Sequence, residues 1–398
     1  MNEILSVGLI LLVALVAGHL VQYLRLPEVT GYLAVGVIIG PSAFDIITHE
    51  NLQALQLLSE VALGLILFSI GTIVDASTFK RIGRLVGAVT AAEAFGACIL
   101  VVAIMLAIGV PIPVALLLGV VAMETAPATT LMVVREYDAR GPMTEALLAL
   151  LAFNNVLVLI TFSVVAAILT FAAGTGGSPY ASVHALLWTT LASVSLGALV
   201  GLLLDLWSGR VKESGENAIL AIGAVLLTVG AARALGVSPL LATLAVGATI
   251  ANTAGPTESL VSELRRTDPP VFAAFFVLAG AELPLALLPQ IGGAGLAYVA
   301  MRGLGKVAGA FLALRVLASS ASLQRHLGWC ILSSSSLAIG LTIQIRSQFP
   351  EYGEQVAAIV LAAVIVFEIV GPVLARTALV RAGEATVEPA VNPEPSLP

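Results

Sequence analysis

Charge is what this sequence has least of. Charged residues make up 11% of its 398 positions and hydrophobic ones 59%, with a mean hydropathy of +1.05. Soluble domains carry about 25% charged residues, so a water-soluble fold is excluded and an integral membrane protein is implied. Cysteine is scarce as well. Cys98 and Cys330 both stand in apolar runs without metal-ligand spacing, which leaves them as packed thiols. His19 and His184 are isolated and read as interfacial. HExxH, GxSxG and comparable constellations are missing, and the hydroxyls of Ser333 to Ser336 have no neighbouring base beyond Lys306, so an enzyme is not expected. Nothing calls for a resident cofactor or a nucleic-acid partner. The opening MNEILSVGLILLVALVAGHLVQYL lacks a positive n-region and a small-residue cleavage site, and reads as an uncleaved first span.

What is present is a succession of apolar runs. A bilayer core needs about 20 apolar residues per helix. Spans are expected near 4–24, 30–47, 54–74, 85–108, 112–134, 145–173, 181–206, 216–234, 238–252, 270–288, 291–318, 327–346 and 354–380, with the second and ninth short or broken. This is an all-α membrane domain over 1–381 with about thirteen helices, followed by a Pro- and Glu-rich tail, 382–398, expected to be disordered. Placing the N-terminus outside and the C-terminus in the cytoplasm leaves only Arg233 and Arg346 in outer loops and Arg302 and Lys306 within the membrane. The rest of the 18 Lys and Arg, including Lys80, Arg81, Arg84, Arg265 and Arg266, then fall on the cytoplasmic side, as the positive-inside rule requires. The chain also resembles itself. YLAVGVIIGP from Tyr32 matches TLAVGATIAN from Thr243, and LFSIGTIVD from Leu67 matches FVLAGAELP from Phe276. Spans 1–6 and 8–13 therefore read as two copies joined by span 7. Six spans per copy plus one linker make the second copy inverted, the build of secondary transporters with a midplane site at broken helices.

Polar groups at membrane depth are expensive and mark function. Span 5 carries METAPATT, with Glu124, Thr125, Thr129 and Thr130 around Pro127. Proline removes a backbone donor and crowds the preceding turn, so this span is expected to be discontinuous. Its repeat-mate is SSSSLAIG, Ser333 to Gly340, on span 12, which contributes Ser335 as a candidate ligand. Span 6 adds Asn154 and Asn155, whose side chains point about 100° apart on a helix. Such amides also serve as interhelical glue. Span 11 carries Arg302 and Lys306 one turn apart in MRGLGKVAGAF. GLGKVAG is no phosphate loop, because the first Gly, the Ser or Thr after Lys, and the preceding strand are all missing. Arg302 is expected to anchor the carbonyls of an unwound helix, and Lys306 to be the functional charge. Glu93 lies in the repeat-mate of the Arg302 region and, with Arg302 and Pro127, reads as structural. Glu60, Glu282 and Glu368 stand near helix ends or glycine kinks and are assigned to capping and helix pairing.

These stretches resemble the cation/proton antiporter superfamily, the sodium/proton exchangers and their potassium-efflux relatives. The resemblance rests on LPEVTGYLAVGVIIGPS, LILFSIGTIVD, TAPATTLMVVREYDARGP, FFVLAGAEL, RGLGKVAGAF and FEIVGPVLARTALVRAGEA, from about residue 5 to 385. It implies a dimerisation scaffold plus a mobile core, spans 5 and 12 crossing unwound at mid-membrane, a homodimer in a cell membrane, and elevator-type alternating access exchanging Na⁺ or K⁺ for a proton. The large nucleotide-binding domains of the potassium-efflux branch are absent from this sequence. One departure matters. The family's pair on span 6 is usually Asp-Asp or Asn-Asp, and its second carboxylate binds the cation and carries the proton, whereas position 155 here is Asn. An amide does not titrate in the working range. Thr125-Ala126-Pro127 likewise replaces the Thr-Asp-Pro of one branch. Glu124, tuned by Lys306, is the expected substitute carrier, and Lys306 the second candidate. Thr125, Thr129, Asn154, Asn155 and freed carbonyls would supply neutral ligands. The competing readings are a transporter that is not proton-coupled, or one that holds an anion on Lys306 and Arg302, and a transport-inactive membrane sensor.

Overall fold

The computed structural model describes residues 2–24, 26–72, 76–172, 179–208, 214–253, 257–286, 292–334 and 336–387, and among these every element is helical. The first copy expected from the sequence spans α1 (Glu3–Tyr23), α2 (Glu28–Ile39), α3 (His49–Gly71), α4 (Ala76–Ala107), α5 (Ile112–Ala122), α6 (Pro127–Glu136) and α7 (Pro142–Ala172). Then come α8 (Pro179–Ser208), α9 (Ser214–Ala234), α10 (Pro239–Ala251), α11 (Thr257–Ala281), α12 (Gly292–Val316), α13 (Ala321–Cys330), α14 (Ser336–Gln348) and α15 (Pro350–Ala382). Nine described spans are long and apolar enough to cross a membrane, one of them formed by α5 and α6 together. In that span, Ile112–Glu136, the apolar window is 100% buried, against 22% in α1, so it forms the centre of the bundle.

Glycines set how the helices approach. A Cβ on Gly36 of α2 would lie 2.1 Å from the Val277 carbonyl of α11, and one on Gly71 of α3 would lie 2.2 Å from the Leu244 carbonyl of α10. The partners answer in kind, through Gly280 against Leu33 and Gly247 against Phe68. Thus α2 crosses α11 while α10 crosses α3. The short second and ninth spans are α2, with 12 residues, and α10, with 13.

Two expectations are corrected. The tenth span was expected to begin near 270, but α11 begins at Thr257 and carries Pro269 and Pro270 inside it. A helix can run through such a pair when the carbonyls that lose donors find other partners. The tail, expected to be disordered from 382, is anchored for its first residues; 388–398 lie outside the described residues. Gly383 ends α15 in the left-handed conformation, at φ 78°. The Glu384 carboxylate then accepts from the backbone N–H of Met143 (2.8 Å) and Thr144 (2.7 Å) and from the Thr144 hydroxyl (2.8 Å), capping α7 at its positive end. Arg140 N–H donates to the Glu384 carbonyl at 2.8 Å, and Thr386 N–H to that of Tyr137 at 3.1 Å. Removing such a cap costs about 1 kcal/mol. Glu384→Ala should therefore lower the apparent Tm in detergent by a few degrees, and an unchanged melting curve would show that the cap is not stabilising.

Candidate functional site

The two chain breaks foreseen from Pro127 and the serine run face each other. The helix stops at Ala122 and resumes at Pro127, and again stops at Cys330 and resumes at Ser336. The breaks are joined directly: Ala126 N–H donates to the Ser333 carbonyl at 3.1 Å. Thr130, whose hydroxyl reaches the Cys330 carbonyl at 3.3 Å, reinforces the crossing.

Interrupted helices leave carbonyls without donors, and the ends of α5 and α13 carry the negative poles of their dipoles. Both cations of α12 serve these ends. Arg302 Nη1 donates to Leu332 O at 2.8 Å, and Nη2 to Glu124 O at 2.8 Å and Ser333 O at 3.3 Å. Its guanidinium lies 4.1 Å from the Phe367 ring centroid of α15. Lys306 Nζ donates to Glu93 Oε2 at 2.7 Å, Met123 O at 2.8 Å and Thr125 Oγ1 at 2.7 Å. An ammonium has three protons, so all three are used. The second oxygen of Glu93 accepts from Asn154 Nδ2 at 2.7 Å, and the same amide reaches Met123 O at 2.9 Å.

This pairing differs from the sequence expectation, which joined Lys306 to Glu124. The Lys306 ion pair is with Glu93, at 2.7 Å with both side chains 0% exposed. Glu124 turns to the other side, accepting from the Ser334 hydroxyl at 3.0 Å and standing 3.8 Å from Arg302 Nη2. The reason lies in helix packing. A Cβ on Gly305 would fall 2.5 Å from Ala97 Cα, and one on Gly309 2.2 Å from the Ala92 carbonyl, so α12 meets α4 backbone to backbone and drops Lys306 onto Glu93. Glu124 and Lys306 remain neighbours through the Met123–Thr125 backbone.

Asn155 is buried on α7. The Oδ1 atoms of Asn154 and Asn155 and the Ser333 hydroxyl are buried without a hydrogen-bond partner, and buried polar atoms of that kind ask for a ligand or water. Thr129 donates its hydroxyl to Glu368 Oε2 at 3.1 Å. Glu368, assigned from sequence to helix pairing, thus belongs to this cluster. Ser335 lies outside the described residues. Glu60 pairs with Arg233 of α9 away from the crossing.

Fold and site together define a helical membrane protein with a charged, buried centre at two crossed helix breaks. The family model for the transmembrane sodium/hydrogen exchanger matches residues 8–380, and the chain belongs to that family. Two structures of the sodium proton antiporter MjNhaP1 from Methanocaldococcus jannaschii share the fold. One aligns with a TM-score of 0.78 and the other, at pH 8, with 0.72; each is 18% identical and covers 96% of this chain and 98% of the other. The iron transporter MagA of Paramagnetospirillum magneticum is 29% identical over 82 residues, a match spanning 21% of this chain and 18% of that protein's length.

Breaking a buried ion pair by removing one partner costs about 3–5 kcal/mol, because the other charge is left uncompensated. Lys306→Met should therefore destabilise the protein strongly in thermal unfolding. Adding Glu93→Gln to it should recover most of the loss. If the double variant melts no higher than the single one, the pair is not the unit described here.

Proposed function

We propose that this protein exchanges a monovalent cation for a proton, with Na⁺ the first candidate and K⁺ the second, at the crossing of the two helix breaks. The observation that carries this reading is Glu124, a 0% exposed carboxylate in the break between α5 and α6, with Asn154 bonded to the Met123 carbonyl of that break and buried oxygens of Asn154, Asn155 and Ser333 left unpartnered. A small hard cation needs such oxygens, and broken transporter helices supply them with freed carbonyls. Family membership supports the same chemistry. MagA's iron carries no weight here, since that match is short.

The rival anion reading is disfavoured by what the two cations already hold. Lys306 spends its three protons within the protein, and Arg302 is tied to three carbonyls. In our reading Arg302 and Lys306 hold the crossing together, Glu93 balances Lys306, and Glu124, Thr125, Thr129, Asn154 and Asn155 surround the cation. A homodimer moving its core by an elevator motion, with the N-terminus outside and the C-terminus cytoplasmic, completes the proposal.

The test is a pH-sensitive dye inside proteoliposomes, read on adding Na⁺, K⁺ or Li⁺ and compared with empty liposomes. Glu124→Gln keeps the shape and the acceptor for Ser334 but removes a titrating group, and should lower proton-coupled flux at least tenfold in a protein that still folds. Combining it with Asn155→Asp should restore part of the exchange by returning a carboxylate to the position usual in the family. Wild-type exchange in Glu124→Gln alone would refute the role given to Glu124, and no cation-driven proton flux in the wild type would refute the function.

Replacing one proton by one monovalent cation moves no net charge. Exchange should therefore proceed at the same rate whether or not a valinomycin-clamped potential is imposed. A rate that follows the imposed voltage would rule out one-for-one exchange.

A further inference from the structure

Among the described residues five charged side chains are buried: Glu93, Glu124 and Glu368, and Arg302 and Lys306. They gather around one crossing, and their formal charges do not cancel; one carboxylate is in excess. Glu93 has Lys306 at 2.7 Å, and Glu124 has Arg302 at 3.8 Å. Glu368 has no cationic side chain at ion-pair distance among the described residues. Its hydrogen bond comes from the Thr129 hydroxyl, in the first turn of α6. A half-helix N-terminus offers roughly half a unit charge, too little to balance a full carboxylate in a buried site.

The surroundings of Glu368 are those of a ligand rather than of a helix contact. Pro372, four residues on in α15, has no N–H, so the Glu368 carbonyl lacks its helical donor. Gly371 admits the opposite break: a Cβ there would stand 2.3 Å from Ser333 Oγ, which is itself a buried hydroxyl without a partner. Glu368 also keeps 7% of its surface and Asn155 6%, whereas Glu93, Glu124 and Lys306 keep none. Of the buried carboxylates, Glu368 is the least enclosed. The charged groups acting on it from the helices packed around α15 are Glu124, beside α5 and α6, and Arg302 of α12.

We propose that Glu368 is the second ionisable group of the transport site and carries the excess charge that a proton and the transported cation neutralise in turn. This rests on the antiport reading above. In the proton-loaded state the carboxyl of Glu368 holds the proton. An arriving Na⁺ binds the carboxylate and the proton leaves, so carboxylic acid plus Na⁺ becomes a sodium carboxylate plus H⁺. The centre is neutral in both states. Glu124 completes the cation's oxygen shell and sets, as the neighbouring like charge, how readily Glu368 gives up its proton.

The experiment uses the full-length protein in two assays: Na⁺-driven proton release in proteoliposomes across a pH series, and the rise in Tm that Na⁺ produces in detergent. Glu368→Gln keeps the acceptor for Thr129 while removing the charge. It should lose exchange at least tenfold and lose the Na⁺-dependent rise in Tm, while eluting as the wild type does. Glu368→Asp should keep exchange with a displaced pH profile. A merely structural Glu368 would instead give a lower Tm that Na⁺ still raises, and that result overturns the proposal, as does wild-type exchange in Glu368→Gln. If Glu368→Gln does not fold, an unchanged pH profile and Na⁺ response in Glu368→Asp overturn it. If the wild type exchanges no protons, the antiport reading fails by itself. The Tm assay then decides Glu368: a Na⁺ response present in the wild type and absent in Glu368→Gln supports it, and equal responses, or none in either, overturn it.

Discussion

The hydrogen bond from Ala126 to Ser333, where two interrupted helices cross, is the constraint on which the rest of this structure depends. Two helices broken inside a membrane expose carbonyls that lipid cannot satisfy. The crossing lets each break serve the other and gathers both sets of carbonyls at one point. Once gathered, the carbonyls at the ends of α5 and α13 offer a cluster of acceptors at the negative poles of those two helices. Arg302 and Lys306 answer that cluster. Their burial then calls for carboxylates, and Glu93 and Glu124 supply them. Each expensive group in the centre is thus the reason for the next.

Cost also explains why α4 and α12 meet through glycine. A buried ion pair contributes only where its geometry is good, and Lys306 can reach both Glu93 and the α5 carbonyl only if the two backbones nearly touch. Gly305 and Gly309 permit that approach on the same helix that carries the two cations. Packing and electrostatics are therefore written into one stretch, RGLGKVAG. Elsewhere the same device appears without charge, where α2 meets α11 and α3 meets α10.

Much of this was legible in the sequence because the signals are local. Apolar runs give spans, Pro127 gives a break, and two cations one turn apart on an apolar helix must share a face. The placement of Arg302 against unwound carbonyls follows from the same reasoning. What was hidden is relational. That Lys306 chooses Glu93 over Glu124 depends on how deep α12 sits against α4, which is a tertiary distance. Glu368 looked like a residue of a glycine kink because FEIVGP reads that way along the chain. Only the fold brings Thr129 and the Ser333 break to it. Glu384 was hidden for another reason: a tail of Pro and Glu composition reads as disordered, and composition does not reveal that its first carboxylate meets the N-terminus of α7.

Asn155, where the family resemblance leads one to expect an aspartate, also acquires a physical meaning. A carboxylate at 155 would join Glu93, Glu124 and Glu368 in a centre with two cations, leaving two negative charges in excess where one exists now. Low-dielectric surroundings make such a second excess charge costly. An amide at 155 avoids this while keeping a buried, unpartnered oxygen there. In the exchange proposed above the carboxylate is displaced rather than lost: the charge that the family resemblance places on the sixth span falls to Glu124 and Glu368, on the fifth span and the last. A site of this kind is defined by its total charge and its oxygens, and the helix that provides each of them is free to change.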